Sequence, residues 1–300
     1  MHKILITGAT GFLGSKILIR LVNEGYKVVA LVRKQSDLSR IKTVVNEVEL
    51  FCLDRNTSNL NELFEKTNID MIIHTATEYG RESLNSDVLM TNLILPIKLI
   101  ETGLKYGLKN FINSDTFFAK PKFSNAVYLN QYSSSKKYFL DYLFSQRESL
   151  KSVSLRLEHV FGEFDSDNKF VTNVLQRLLK SDLEISLTDA LQKRDFIYID
   201  DVVEAYFIVL KNINFIDTFS EFEVGRGNSI SVREFVELMA EESKSKSKLK
   251  FGFLPTRAGE IQDSIANISP LNEIGWYPSC DLRSGLKKMI ELEKKIKKYL

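Results

Sequence analysis

Tyr132 and Lys136 are separated by three serines, and residues four apart share one face of a helix. A free phenol titrates near ~10, so at neutral pH it is mostly protonated. A cation held beside it stabilises the phenolate, which makes Tyr132 a usable proton donor or acceptor. Upstream, an expected strand at 110–113 leads into Ser114-Asp115-Thr116, which brings hydroxyls to a strand end. At the N-terminus Gly8, Gly11 and Gly14 follow the apolar run Ile4-Leu5-Ile6. They precede Leu13, Ile17, Leu18, Leu21 and Val22, a helical spacing that ends near Gly25. Backbone N–H groups at such a helix start face an anionic pyrophosphate, and a side chain at a glycine would block its approach. The usual dinucleotide fingerprint is G-x-G-x-x-G, and tight turns use glycine for their own reasons. Strand, loop and helix arriving in that order favour nucleotide binding over a plain turn.

These groups need a scaffold, and 300 residues suit one large α/β domain or such a domain with a smaller lobe. With 44% hydrophobic and 27% charged residues, a sizeable core is available. A net charge of +2 leaves no electrostatic footprint for nucleic acid. Cys52 and Cys280 form neither a metal-ligand spacing nor a disulfide framework, so no metal is expected. The chain starts directly with a strand rather than a signal peptide, and no run has the length of a membrane span. The expectation is a reduced, cytoplasmic protein with no membrane and no nucleic-acid partner.

Further strands are expected at 28–32, 48–53, 69–73, 110–113 and 152–157, with helices at 60–67, 88–106 and 131–149. This β-α alternation predicts an α/β fold with a doubly wound parallel sheet, in which ligands sit at the carboxyl ends of strands. Polar clusters fall at those ends: Arg33-Lys34, Asp54-Arg55, Thr75-Ala76-Thr77 and Ser114-Asp115-Thr116. Beyond Gly162 the rhythm breaks up. Helices are expected at 169–180, at 231–242 with Ser231 as N-cap, and at 282–300 with a lysine-rich solvated face. Residues 194–202 read as a strand entering a helix, and 243–250 as an exposed loop.

Taken together, Thr7-Gly8-x-x-Gly11-x-x-Gly14, Asp54, Thr116, Tyr132/Lys136 and Arg194-Asp-Phe-Ile-Tyr-Ile-Asp-Asp201 resemble the extended short-chain dehydrogenase/reductase (NAD-dependent epimerase/dehydratase) family. The resemblance runs from Met1 to about Pro278 and includes Arg257-x-Gly259-Glu260 and Gly275-Trp276-x-Pro278. Four local strings are similar to the NDP-4-keto-deoxyhexose reductases of the CDP-abequose and CDP-paratose synthase type. They are Ala76-Thr-Glu-Tyr-Gly80, Asn113-Ser-Asp-Thr-Phe-Phe-Ala-Lys120, Leu155-Arg-Leu-Glu-His-Val-Phe-Gly162 and Asp167-Asn-Lys-Phe170. The family implies a Rossmann-type cofactor domain over 1–165, with 190–225 returning to it. It also implies a smaller C-terminal substrate-binding lobe over 166–189 and 226–300.

Carried over by position, the resemblance gives Thr116 the hydrogen bond to the reacting C4 oxygen, with Ser114 as fallback, and gives Tyr132 the proton on that oxygen. Lys136 holds the nicotinamide ribose and lowers the pKa of Tyr132. Gly8, Thr10, Gly11, Phe12, Leu13 and Gly14 take the pyrophosphate, Asp54 and Arg55 the adenine side. Thr75, Ala76, Thr77, Asn92 and His159 line the cofactor, although a packing role for His159 fits equally. Glu78 and Tyr79 are expected to face the sugar, with a loop cap as the alternative, and Asn168 and Lys169 to bind the substrate. Arg194, Arg257 and Glu260 are expected to grip the substrate's pyrophosphate and ribose, charge-assisted contacts that suit arginine. The bland alternative for Arg194 is a surface ion pair with Asp200 or Asp201. A homodimer formed through the 88–106 helix and the Tyr132 helix is also expected.

Two departures select the reaction. Arg33 stands where an NAD enzyme presents a carboxylate to the ribose, which favours NADP(H) and a net reductase. Phe117 and Phe118 stand where dehydratases of the family carry Asp-Glu, and phenyl rings transfer no protons. The leading expectation is NADPH-dependent reduction of a nucleotide-linked 4-keto-deoxyhexose, making an activated deoxysugar for surface polysaccharide such as O-antigen. The runner-up is an NAD-dependent sugar-nucleotide 4-epimerase. A catalytically silent NADP-binding protein is the reading from another class, and the intact Thr116/Tyr132/Lys136 set speaks against it.

Overall fold

The computed structural model describes residues 3–54, 57–81, 83–123 and 129–297. Strand β1 (Lys3–Thr7) leads through the glycine loop into α1 (Phe12–Asn23), followed by β2 (Lys27–Val32) and β3 (Glu49–Cys52). Next come α2 (Leu60–Thr67), β4 (Met71–His74), α3 (Asn85–Leu89), a π-helical turn (Met90–Ile94) and α4 (Leu95–Lys105). Strand β5 (Asn110–Thr116), α5 (Asn130–Ser145) and β6 (Lys151–Leu157) complete the alternation. After them stand β7 (His159–Phe161), α6 (Phe170–Lys180), β8 (Glu184–Ser186), β9 (Lys193–Arg194), β10 (Phe196–Tyr198) and α7 (Ile199–Asn212). The chain continues through β11 (Phe219–Val224), β12 (Ile230–Ser231), α8 (Val232–Ser243) and β13 (Lys248–Lys250). It ends with β14 (Asp263–Ser264), α9 (Ser269–Glu273) and α10 (Leu282–Lys297).

The large sheet has the order β11-β6-β5-β4-β1-β2-β3. Its pairs β1–β2, β2–β3, β1–β4 and β4–β5 run parallel, with Leu5 opposite Val29 on one side and Ile72 on the other. The chain builds outward from β1 to β3, then returns to β4 on the other side of β1. That reversal opens a crevice at the carboxyl ends of the strands, where the glycine loop leaves β1. Helices on both faces explain why Ile4, Leu5 and Ile6 are all buried rather than alternating. The core joins Leu5, Val29, Ile72 and Phe111 of the strands to Leu63 and Phe64 of α2, Leu99 of α4, and Phe139 and Leu143 of α5. Truncating one such leucine to alanine costs on the order of 2–5 kcal/mol.

By internal contacts the chain divides into two compact units, residues 1–156 with 206–222, and residues 157–205 with 223–300. The segment returning to the first unit is thus shorter than the 190–225 expected. The reason is local: β9 pairs with β12 and β14, and β10 with β7, all within the second unit.

Other boundaries differ from expectation for identifiable reasons. The fifth strand extends to Thr116 because Ser114, Asp115 and Thr116 each find partners inside the protein. The 88–106 helix begins earlier, at Asn85, and is interrupted by the π-helical turn. Pro96, in the first turn of α4, has no N–H to donate one turn back, and Asn92 is drawn aside by side-chain bonds. The helix expected over 131–149 ends at Ser145. Of the expected 243–250 loop, Ser243 closes α8 and 248–250 forms β13, parallel to β8. The 194–202 segment is two short strands and a helix start, broken at Asp195, whose carboxylate accepts the backbone N–H groups of Arg226, Gly227 and Ala266.

Ser231 caps α8 as expected, in a reciprocal box with Glu234. On α5, Tyr138 and Phe144 are 61% and 50% exposed beside exposed Asp141 and Ser145, whereas Leu143 is buried. Among the described residues no helix is long and apolar enough to cross a membrane.

Candidate active site

The glycine loop is built for close approach. Gly8 adopts φ +66°, and a Cβ there would stand 2.7 Å from the Ala76 nitrogen and 2.8 Å from Thr75 Oγ1. A Cβ at Gly14 would run into the Gly8 carbonyl and stand 2.5 Å from Thr75 Oγ1. Gly11 N donates to the Gly8 carbonyl at 2.9 Å, which closes the turn. Gly11 is also the N-cap of α1, where no side chain satisfies the first N–H groups and no acidic residue sits in the first turn. This cradle fits a dinucleotide pyrophosphate.

Residues after β4 brace the loop. Thr75 Oγ1 donates to the Thr7 carbonyl at 2.7 Å, and Ala76 N donates to Thr7 Oγ1 at 3.2 Å. The same hydroxyl meets His74 Nδ1 at 2.8 Å. Burial, with Lys136 nearby, holds the His74 imidazole well below its usual range. Arg40, which the sequence reading did not single out, donates to the Thr10 carbonyl at 3.1 Å. At the end of β2, Arg33 is exposed and its guanidinium makes no ion pair among the described residues. At the end of β3, exposed Asp54 accepts from Ser58 Oγ at 3.0 Å. Arg55 lies outside the described residues.

The three proposed catalytic groups come together in the first unit. Tyr132 is 5% exposed, and its phenol shares a hydrogen bond with Thr116. Thr116 Oγ1 also accepts from Phe118 N at 3.3 Å, which orients the hydroxyl. Ser114, the fallback, is occupied otherwise: its hydroxyl lies 2.5 Å from the Tyr206 hydroxyl and its carbonyl accepts from Lys136 Nζ at 2.8 Å. Lys136 also donates to Thr77 Oγ1 at 3.3 Å. Burial pulls Lys136 down to about 8, against the attraction of Asp115.

The expectation that Lys136 lowers the Tyr132 pKa needs correction for this state of the site. Burial pushes the phenol well above its ordinary value, Tyr79 and Asp115 add to the rise, and the Thr116 hydrogen bond opposes it. Desolvation outweighs that hydrogen bond because the phenol is almost wholly enclosed. The Tyr79 ring lies 4.9 Å from the Tyr132 ring, and Phe118 meets it edge-on at 6.4 Å.

Asn92 has a supporting role. Its amide donates to the Glu78 carbonyl and accepts from Glu78 N, both at 2.8 Å, and donates to Ser135 Oγ at 3.1 Å. It therefore fixes the loop that carries Glu78, whose own carboxylate accepts from Gly80 N at 3.1 Å. Tyr79, expected with Glu78 at the sugar, lies against the Tyr132 ring, whereas sequence reasoning gave no role to Asp115 and Arg156, joined at 3.2 Å. The signal for Asp115 was its place between two site residues.

The remaining residues lie in the second unit. Arg194 is 5% exposed and donates to the carbonyls of Lys193 and Ile261 at 2.7 and 2.6 Å, and to Glu260. Its partner is Glu260, not Asp200 or Asp201, and the pair is buried rather than superficial. Exposed Arg257 approaches the same carboxylate at 3.7 Å, so Arg194, Arg257 and Glu260 form one cluster as expected. His159 packs edge-on against Phe196 with centroids 5.7 Å apart, and burial lowers its pKa. Asn168 is exposed and accepts from Ser166 Oγ at 3.0 Å, and Lys169 is the N-cap of α6. No three metal-ligating side chains gather among the described residues.

Comparison with known proteins agrees with this geometry. Residues 4–225 match the model of the NAD dependent epimerase/dehydratase family. A CDP-abequose synthase of Salmonella muenchen is 36% identical, the alignment covering 97% of this chain and 98% of that protein. The CDP-abequose synthase of Salmonella typhimurium is 32% identical over 96% and 97% of the two chains. Among solved structures, the UDP-glucose 4-epimerase of Thermotoga maritima with UDP-glucose superimposes with a TM-score of 0.85, at 25% identity, covering 98% of this chain and 99% of that one. With its glycine cradle at the switch point of the sheet and its Thr-Tyr-Lys set beneath, the chain belongs to the NAD-dependent epimerase/dehydratase family.

Proposed function

We propose that the protein reduces the 4-keto group of a nucleotide-linked deoxyhexulose, CDP-3,6-dideoxyhexulose-like, with NADPH as donor. The product would be an activated deoxysugar for surface polysaccharide. The observation that carries this reading is the Tyr132 phenol: 5% exposed, its pKa pushed up by burial, and hydrogen-bonded to Thr116. A reductive step needs an acid at the carbonyl oxygen, whereas oxidation of a 4-hydroxyl needs a base there first. The similarity to two CDP-abequose synthases over nearly the whole chain supports the same substrate class.

Gly8, Gly11 and Gly14 would hold the pyrophosphate of a nicotinamide cofactor, which would supply the hydride for the sugar carbon. Thr116 orients the carbonyl oxygen toward the phenol. As negative charge builds on that oxygen, Tyr132 delivers its proton, and the Lys136 ammonium stabilises the resulting phenolate. Phe117 and Phe118 follow Thr116 with ring centroids 4.1 Å apart and planes tilted by 32°, so these two positions supply no carboxyl for loss of water. Exposed Arg33 supports NADP over NAD, because it offers a 2′-phosphate an unshared cation. In the second unit the Arg194/Glu260/Arg257 cluster supports a pyrophosphate- and ribose-binding role.

The test is NADPH absorbance with a panel of NDP-4-keto-deoxysugars. Consumption with at least one, most rapidly with a CDP-linked 3,6-dideoxy sugar, is expected. No consumption with any, alongside interconversion of two 4-hydroxy sugars, contradicts it and favours the 4-epimerase reading that the Thermotoga structure suggests.

A further inference from the structure

We propose that Asp115 is a positioning residue for proton donation: anchored by Arg156, it is the buried counter-charge for the proton-bearing pair Lys136 and Tyr132. The inference deepens the proposed reductase reading and rests on it for its catalytic consequence.

The placement comes from β5. Asp115 lies between Ser114, whose carbonyl accepts from Lys136 Nζ, and Thr116, whose hydroxyl meets the Tyr132 phenol. Its side chain is wholly buried and accepts from Arg156 Nε on β6 at 3.2 Å. Arg156 extends in turn to Glu221 on β11. Four charged groups thus lie in one layer, Lys136, Asp115, Arg156 and Glu221, and three of them are at most 10% exposed. A carboxylate is costly in such a place unless cations offset it. Arg156 alone would balance Asp115 if Glu221 did not share Arg156. The sharing leaves negative charge for a second cation, and Lys136 is within its reach.

The attraction is mutual. Asp115 opposes the fall in the Lys136 pKa, and Lys136 opposes the rise in that of Asp115. Asp115 also raises the Tyr132 pKa, so one carboxylate holds both protons on the site. The other titratable neighbours do not replace it. Lys136 is met by His74 from β4, which is held neutral by burial. Asp115 is met by Arg156 from β6, Tyr206 from α7, and Lys136 and Tyr132 from α5. Removing the charge but not the shape of Asp115 should release both protons at lower pH.

The experiment follows the ¹³Cε resonance of Lys136, assigned with Lys136→Arg, through a pH titration of the cofactor-free protein. The wild-type midpoint is expected near 8. Asp115→Asn, which keeps a hydrogen-bond acceptor for Arg156, should lower it by about 1–3 pH units, the usual effect of one nearby opposite charge. Asp115→Glu should leave it closer to the wild type. If Asp115→Asn does not fold, Arg156→Gln tests the same idea with opposite sign, because an unshared Asp115 should raise the midpoint. A Lys136 midpoint unmoved by either change overturns the proposal. In turnover, the alkaline limb of kcat should move to lower pH in Asp115→Asn, with KM little changed. Absence of reductase activity in the wild type removes only the functional reading, since the titration needs neither substrate nor cofactor.

Discussion

The rings of Tyr79 and Tyr132 lie 4.9 Å apart, inclined at 36°. Tyr79 comes from the loop after β4 and Tyr132 from the first turn of α5. Their contact closes one side of the phenol, and Phe118 closes another. Enclosure raises the Tyr132 pKa, and in the proposed reaction the proton would leave only when charge appears on a substrate oxygen. The wall and the acid act as one unit.

Tyr132→Phe keeps the ring and its packing and removes the proton. Turnover should fall by about 10²–10⁴-fold, the usual worth of a positioned acid. NADPH binding, read by fluorescence quenching, should stay close to wild type. Near-normal turnover would mean that the proton comes from elsewhere, with Glu78 or His159 the next candidates.

Turnover should decline as pH rises through about 8. Burial disfavours the Lys136 ammonium, so it gives up its proton at about 8 instead of the ordinary 10.5. Below that pH the ammonium is present, and above it the stabilisation of the phenolate is lost. The measurement is kcat against pH at saturating substrate, and a flat profile between 7 and 10 on the pH scale, roughly, would contradict the role given to Lys136.

Arg33→Asp should weaken NADPH binding far more than NADH binding, since it exchanges an attraction for the 2′-phosphate for a repulsion. Dissociation constants for both cofactors give the answer. An unchanged ratio would show that another residue reads the phosphate, and Arg40, bonded to the Thr10 carbonyl, would be examined first.

Asp195→Asn should destabilise the second unit. Asp195 Oδ1 accepts from Arg226 N at 2.7 Å, and Oδ2 accepts from Gly227 N at 3.0 Å and Ala266 N at 3.1 Å. An amide presents donors to one of those sets, which leaves buried N–H groups unsatisfied at a cost of about 1–3 kcal/mol. The pH dependence has a definite sign. Burial lifts Asp195 from the ordinary 3.8 to about 6, so the folded chain binds this proton more tightly than the unfolded one. Stability from this group is full below about 4 and lost as pH rises through about 6. Urea denaturation at several pH values should show that slope in the wild type and not in Asp195→Asn.

Much of the first unit was legible because its signals are local. The glycine spacing, the apolar runs of β1, β2 and β4, and the i,i+4 pair Tyr132/Lys136 all lie within single elements. What escaped depends on contacts distant in sequence. Polar Ser114, Asp115 and Thr116 read as a cluster just past a strand end, yet Tyr206, Arg156 and Phe118 N satisfy them inside the strand. The π-helical turn at Asn92 arises from a side chain that braces another loop, which no helical pattern encodes. The direction of the Tyr132 pKa shift escaped for the same reason: i,i+4 spacing reveals the neighbouring cation, while only the folded chain reveals how far water is excluded. The Arg194–Glu260 pair joins residues 66 apart, beyond any local rule.

The central claim is net hydride delivery to the sugar, and an isotope experiment tests it most directly. NADPH deuterated at the transferable C4 position is incubated with a CDP-linked 4-keto-3,6-dideoxyhexose, and the product is read by NMR. The account predicts deuterium at the sugar C4 in each product molecule, with one NADPH consumed per turnover. A product that carries protium at C4 and forms without loss of NADPH would contradict it.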